Sequence, residues 1–168
     1  MKKLLIISSI IIIILISNKK EEIIIPNNSI RVRVIANSNN INDQLEKVKV
    51  KSIVEETLYN NIKETKTIES ARTAIKNNIP TLEKNIKKSI NNNFSINYGT
   101  NYFPKKEMFG IEYNEGNYES IVINIGESKG KNWWCVLFPP ICMIEAEKNN
   151  KDNIEYKSKV LEILNEYK

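Results

Sequence analysis

The sequence has no histidine. This removes Ser-His-Asp and Cys-His nucleophilic catalysis and most zinc hydrolase sites. Glycine is scarce, with five scattered residues and none at the spacing of a dinucleotide- or phosphate-binding loop. The two cysteines, Cys135 and Cys142, are too few for a structural zinc site, which takes four nitrogen or sulfur ligands. Nor do they have the C-x-x-C spacing of a redox pair. No metal site, cofactor or catalytic residue is therefore expected, and the chain is read as a non-enzyme.

Excess charge is also lacking once the N-terminus is set aside. The formal net charge is +5, but Lys2, Lys3, Lys19 and Lys20 precede residue 21 and no acid does. The remainder is close to neutral, so no nucleic-acid partner is expected. Between those lysines, Leu4 to Ile16 is apolar except for Ser8 and Ser9. Such a run is about 20 Å long as a helix, short against a bilayer core of about 30 Å. It matches a secretory h-region behind a positive n-region. Cleavage and retention as a short anchor both remain open, so residues 4–16 are a candidate membrane contact. No cysteine follows the run to accept a lipid.

The rest, about 145 residues, suffices for one domain with its own core. Ile30 to Ala36 alternates and is rich in β-branched residues, so it reads as a strand with Val32 and Val34 on one face and Arg31 and Arg33 on the other. Asn37 to Asn40 forms a loop, and Asn40 or Asn42 is placed to cap a helix running to about Asn61. That helix is expected to face the core with Ile41, Leu45, Val48, Val54, Leu58 and Ile62. A second helical region carries Ile68, Ala71, Ile75, Leu82, Ile86 and Ile90, and Pro80 predicts either two helices or a kink.

Strands are predicted at 94–98, 108–113, 118–125 and 133–138, with Glu115-Gly116-Asn117 as a hairpin turn. Val160, Leu161 and Leu164 suggest a short final helix. Asparagine runs such as 91–93 carry no recognisable chemistry. The fold class is α+β: a single domain with helices on one face of a mostly antiparallel or mixed sheet, behind an N-terminal signal or anchor segment. The expected divisions are 1–20 signal or anchor, 21–29 linker, 30–145 domain, and 146–168 a charged extension with a short helix.

The densest information lies in Lys129 to Cys142. Trp133 and Trp134 must point to opposite faces of a strand. An exposed tryptophan beside an apolar run is a common ingredient of binding hot spots, whereas two covered tryptophans would serve packing alone. Cys135 and Cys142 bracket Pro139-Pro140, and a turn there brings them within disulfide range. Two buried reduced thiols are the other reading.

This segment resembles the C-terminal signature of the stage II sporulation protein R family, which reads much like Gly-x-Gly-x-Asn-Trp-Trp-Cys-Val-Leu-Phe-Pro-Pro-Leu-Cys. Gly126, Asn132, Trp133, Trp134, Cys135, Val136, Leu137, Phe138, Pro139, Pro140 and Cys142 carry the likeness, with Ile141 for the leucine. Ile30 to Ser38, with Asp43-Gln44 and Lys49-Val50-Lys51, is similar to the family's opening strand and helix. Tyr102-Phe-Pro-Lys105, Phe109-Gly110, Tyr118-Glu119 and Ile125-Gly126 add a looser match. Asn39 departs from a commonly acidic position, and Glu115-Gly116-Asn117 departs from an Ala-Gly-Glu turn.

The resemblance implies a protein exported from the forespore into the space between forespore and mother cell. There the family's protein activates a membrane-embedded aspartic protease that processes pro-sigma-E. The partner would then be the protease's extracytoplasmic face. Candidate contact residues are Arg31, Arg33, Asn37, Ser38, Asn132, Trp133, Trp134 and Phe138. The competing expectation is a secreted cell-wall hydrolase or wall-binding module, with aromatics stacking on sugars and paired acids such as Glu112 and Glu115, or Glu119 and Glu127, acting on them.

Overall fold

The computed structural model describes residues 23, 25–108, 111–142 and 153–167. The apolar run 4–16 lies outside them, as do the predicted division at residues 145/146 and Phe109-Gly110. Three layers build up around a central sheet. Strand β1 (Ile30–Ile35) is followed by helices α1 (Ile41–Ile62) and α2 (Ile68–Ser89). Then come β2 (Phe94–Phe103), β3 (Lys106–Met108), β4 (Ile111–Tyr113), β5 (Gly116–Ile125), β6 (Asn132–Phe138) and helix α3 (Asn153–Glu166).

The main sheet is mixed, in the order β2-β5-β1-β6. β1 is parallel to β5 and antiparallel to β6, and β2 and β5 form a long antiparallel pair. The α+β class and mixed sheet agree with the sequence reading.

Strand alternation sorts the side chains into two cores. On one face, Val32 and Val34 of β1, Ile121, Ile123 and Ile125 of β5, and Cys135 and Leu137 of β6 meet α1 and α2. The helices contribute Val50, Val54, Leu58 and Ile62, then Ala71, Ile75, Leu82 and Ile86. On the other face, Trp134 and Val136 pack with Phe103, Ile111, Tyr113 and Tyr118. Tyr156, Val160 and Leu164 of α3 join them, together with Ile23 and Ile25. Residues read as linker (21–29) and as charged extension (146–168) thus supply core side chains, and the packed unit extends past 30–145 on both sides. Among the described residues no helix is long and apolar enough to cross a membrane.

Four local expectations are corrected. First, of the two readings at Pro80 the two-helix one is overturned: α2 is one helix through Pro80, capped at Thr67 by reciprocal bonds with Ser70. Pro80 lies on the exposed side of the helix, and Lys76, whose carbonyl the proline cannot serve, is exposed too. Second, residues 108–113 are not one strand. β3 and β4 pair with each other, while Phe103 pairs with Gly116, so residues 104–115 form the elaborated tip of the β2–β5 hairpin.

Third, Asn40 is the N-cap of α1 but makes no side-chain cap bond. Fourth, Ile41, Leu45 and Val48 are not core: they are 78%, 54% and 52% exposed. The helix buries the row Val50, Val54, Leu58 and Ile62, and at 100° per residue the earlier three fall on the opposite side.

Candidate interaction surface

Strand pairing joins the two sequence segments that were singled out. β6 lies against β1 with Val34 opposite Trp133, Arg33 opposite Trp134, and Val32 opposite Cys135. The paired tryptophans part as the pleat requires. Trp134 enters the second core, 1% exposed, in edge-on contact with Phe103 and Tyr113 at 5.5 and 5.1 Å between ring centroids. Trp133 stays half-buried on the α1 side, with Lys51 Nζ 5.5 Å from its ring.

Arg31 and Arg33 share a face, but neither is an ordinary surface residue. Arg31 is fully buried, with its guanidinium carbon 3.3 Å from the Tyr118 ring centroid, 5.3 Å from Trp134 and 5.5 Å from Phe103. Its Nε and Nη1 have no hydrogen-bond partner among the described residues. Burial lowers its pKa, opposed by the Tyr118 ring and hydroxyl. The aromatic faces supply the attraction that a carboxylate would otherwise provide. Arg33 is half-buried and donates from Nη1 to Tyr102 O at 3.3 Å, and burial lowers its pKa too. Arg31, Trp134 and Phe138 are therefore interior residues that present nothing to a partner in this arrangement.

Asn37 and Ser38 belong to a clasp that joins three loops. Asp43 accepts from Asn37 Nδ2 at 2.9 Å, Ser38 Oγ at 2.5 Å and Asn92 Nδ2 at 3.2 Å. Asn37 Oδ1 accepts from the Glu127 amide at 2.8 Å, and the Lys129 and Gly130 amides donate to Asn37 O and Ala36 O. Asn39 Oδ1 receives the Lys131 amide at 2.8 Å. Asn91 and Asn92 also bind the Glu46 carboxylate, so this asparagine run has a structural task that composition concealed.

The clasp needs backbone freedom at its far side. Gly126 has φ 53°, and a Cβ there would strike the Asn37 side chain. A Cβ on Gly130 would strike the Ser38 carbonyl. Counting back from Asn132, the Gly-x-Gly-x-Asn pattern falls on Ser128 and Gly130 rather than on Gly126. Ser128 has φ 56°, a conformation that favours glycine.

Cys135 and Cys142 are joined as a disulfide with their Cα atoms 5.6 Å apart, and both are buried. The acids considered for hydrolysis are engaged elsewhere. Glu119 takes Arg72 Nε at 2.9 Å and Tyr98 Oη at 2.5 Å, and Glu112 pairs with Lys105 at 2.8 Å. Glu115 accepts from Tyr102 Oη at 3.1 Å, and Glu127 pairs with Lys129 at 2.7 Å. The sequence reading missed the open side of α1 at Ile41, Leu45 and Val48; the run of helical apolar positions was legible, but not the side to which it turns.

Residues 26–148 match the family model described as stage II sporulation protein R. The chain is 33% identical over 150 residues to "Stage II sporulation protein R" of Bacillus subtilis (strain 168), covering 83% of this chain and 67% of that relative. No solved structure matches. The clasp, the β1–β6 pair and the Asn132–Cys142 segment all lie inside the matched span, and the chain belongs to the stage II sporulation protein R family of sporulation proteins.

Proposed function

We propose that this protein is an exported, non-catalytic signal of endospore formation that binds and activates the membrane-embedded aspartic protease processing pro-sigma-E. The observation that carries the reading is the family match over residues 26–148, which spans both strands of the β1–β6 pair and the clasp around Asp43. The N-terminal apolar run supports export.

An activator of this kind works by differential binding: it shifts its receptor only by preferring the active arrangement. A rigid ligand suits that task, because little ordering cost is spent on docking. The disulfide and the two-sided core supply that rigidity.

The test is reconstitution in a bacterial host that does not sporulate. The full-length chain, the protease and a tagged pro-sigma-E are co-expressed, and removal of the pro-sequence is followed by gel mobility. Processing that requires this chain supports the activator role. No processing, with the protease competent toward its own activator and this chain shown to be folded, overturns it. Glycan cleavage by the purified chain incubated with peptidoglycan would favour a wall hydrolase instead.

A further inference from the structure

The main sheet has two edges, and they are built differently. β6 is buried from Trp134 to Phe138, runs into Pro139-Pro140, and its ladder with β1 breaks register near Ile30. Burial, proline and an irregular ladder are common ways of closing an edge to other strands. β2 has none of them along its free length. Phe94–Phe103 holds no charged residue and no proline, and its ladder with β5 runs from Phe94–Ile125 to Phe103–Gly116 without a shift.

β5 takes one side of β2. The Gly126 amide donates to Asn93 O at 2.7 Å. Alternation along an antiparallel ladder then turns the N–H and C=O groups of Phe94, Ile96, Tyr98 and Thr100 away from β5. Among the described residues, no strand or loop backbone bonds to them. At Tyr102 the hairpin turns over the sheet: its carbonyl accepts from Arg33, and Phe103 enters the second core. The open edge is therefore residues 94–100. Ser95, Asn97 and Thr100 are exposed along it, and Phe94, Ile96 and Tyr98 are half-buried.

We propose that two copies of this chain pair through the open edge of β2, antiparallel about a two-fold axis at Asn97, so that their main sheets join into one. Asn97 then meets its own copy, Ile96 lies opposite Tyr98, Phe94 opposite Thr100, and Ser95 opposite Gly99. The assignment is independent of the activator role and stands or falls without it.

The chemistry of the edge selects this occupant. Free N–H and C=O groups in a row are matched by another extended backbone. A second copy supplies one whose side chains also suit. On the helix side the opposed residues are aromatic or β-branched, which are favourable cross-strand pairs. On the other side they are small or neutral, so no like charges meet within the strands. The charges flanking the edge carry both signs: Arg72 is paired with Glu119 at 2.8 Å, and Lys76 and Glu83 are both exposed on α2. An unrelated extended segment would use the same backbone groups, and the masses below separate it from a second copy.

The full-length chain is produced alone in the bacterial host, purified in mild detergent, and its protein mass is read by sedimentation equilibrium. Wild type, Asn97→Lys and Lys84→Glu, an exposed α2 control, are compared, with melting curves to verify folding. The proposal expects two chains per particle in wild type and Lys84→Glu. It expects a twofold lower mass in Asn97→Lys, because a lysine on the axis faces its own copy. Cysteine variants supply a second readout. A residue on the axis in a non-hydrogen-bonded pair has its Cα about 4.5 Å from that of its copy, within disulfide range. Asn97→Cys under a mild oxidant should therefore give a covalent dimer on non-reducing gels, and Lys84→Cys should not. Single-chain particles in wild type overturn the proposal, as does a two-chain mass kept by folded Asn97→Lys. No cross-link from Asn97→Cys, or an equal one from Lys84→Cys, overturns it whatever the stability of the lysine variant.

Discussion

Ser128→Gly should make this protein more stable, although it removes a side chain. Ser128 lies in the β5–β6 loop with φ 56°, where an L side chain costs about 1 kcal/mol against glycine. Its Oγ is buried without a hydrogen-bond partner among the described residues, which adds about 1 kcal/mol of unrecovered desolvation. Glycine returns about 0.7 kcal/mol as extra freedom in the unfolded chain. The net gain is about 1 to 1.5 kcal/mol, or roughly 3–5 °C in Tm for a unit of this size. Ser128→Ala separates the two contributions, because it deletes the hydroxyl but keeps the strained backbone. Thermal melts of the wild type and both variants by far-ultraviolet circular dichroism provide the comparison. The expected order is Gly above Ala above wild type, with Ala recovering the hydroxyl's share of about 1 kcal/mol and Gly about 0.3 kcal/mol more. Equal gains from Gly and Ala, or a loss with Gly, would refute the backbone argument and the assignment of this position to the family's first glycine.

Other tests follow from the same geometry. Trp134→Ala should cost about 3–5 kcal/mol in urea unfolding, as expected for emptying a fully buried aromatic site, whereas Trp133→Ala should leave a folded protein with a smaller loss. A comparable loss for both would contradict their opposite placements. Asp43→Asn should lower Tm at neutral pH. The Ser38 hydroxyl first, and then the Asn37 and Asn92 amides, hold the Asp43 carboxyl below its usual range, against an opposing effect of burial. A depressed folded pKa contributes stability above the unfolded value of about 3.9 and loses it as pH falls through the lower folded one. The Tm gap between variant and wild type should therefore be full above pH 5 and close in acid; a gap independent of pH would argue against the clasp. Reduction of Cys135–Cys142, seven residues apart, should cost about 2.5 kcal/mol on the chain-entropy model. Chemical denaturation with and without reductant would measure it, and no change would mean that the bond does not form in solution.

Most of the framework was legible because it depends on short-range periodicity. Alternation in Ile30–Ala36 and in 118–125 identified the strands, and opposed tryptophans followed from the pleat. Position relative to neighbours was not legible. The α1 pattern included Ile41, Leu45 and Val48 with the core set, since three- and four-residue gaps do not reveal which stripe faces the sheet once α2 is in place. Arg31 and Arg33 looked like an exposed polar face because strands with one wet side are common. Here β3, β4, α3 and Ile23 cover that side, and only tertiary packing reveals it. The clasp was invisible because its members are 5 to 92 residues apart.

The sheet order has a consequence for when this domain can exist. β1 is the first strand made, yet both of its neighbours come from the last third of the matched span. A chain emerging N-terminus first holds β1 with neither flank until β5 and β6 arrive. Contacts of such long range make folding late and slow. A product ending before Asn132 lacks β6, the edge strand that gives Cys135 and Leu137 to one core and Trp134 and Val136 to the other, so neither core can close without it. Closure of the two cores thereby becomes one late event, set by a strand that waits for its own C-terminal partners.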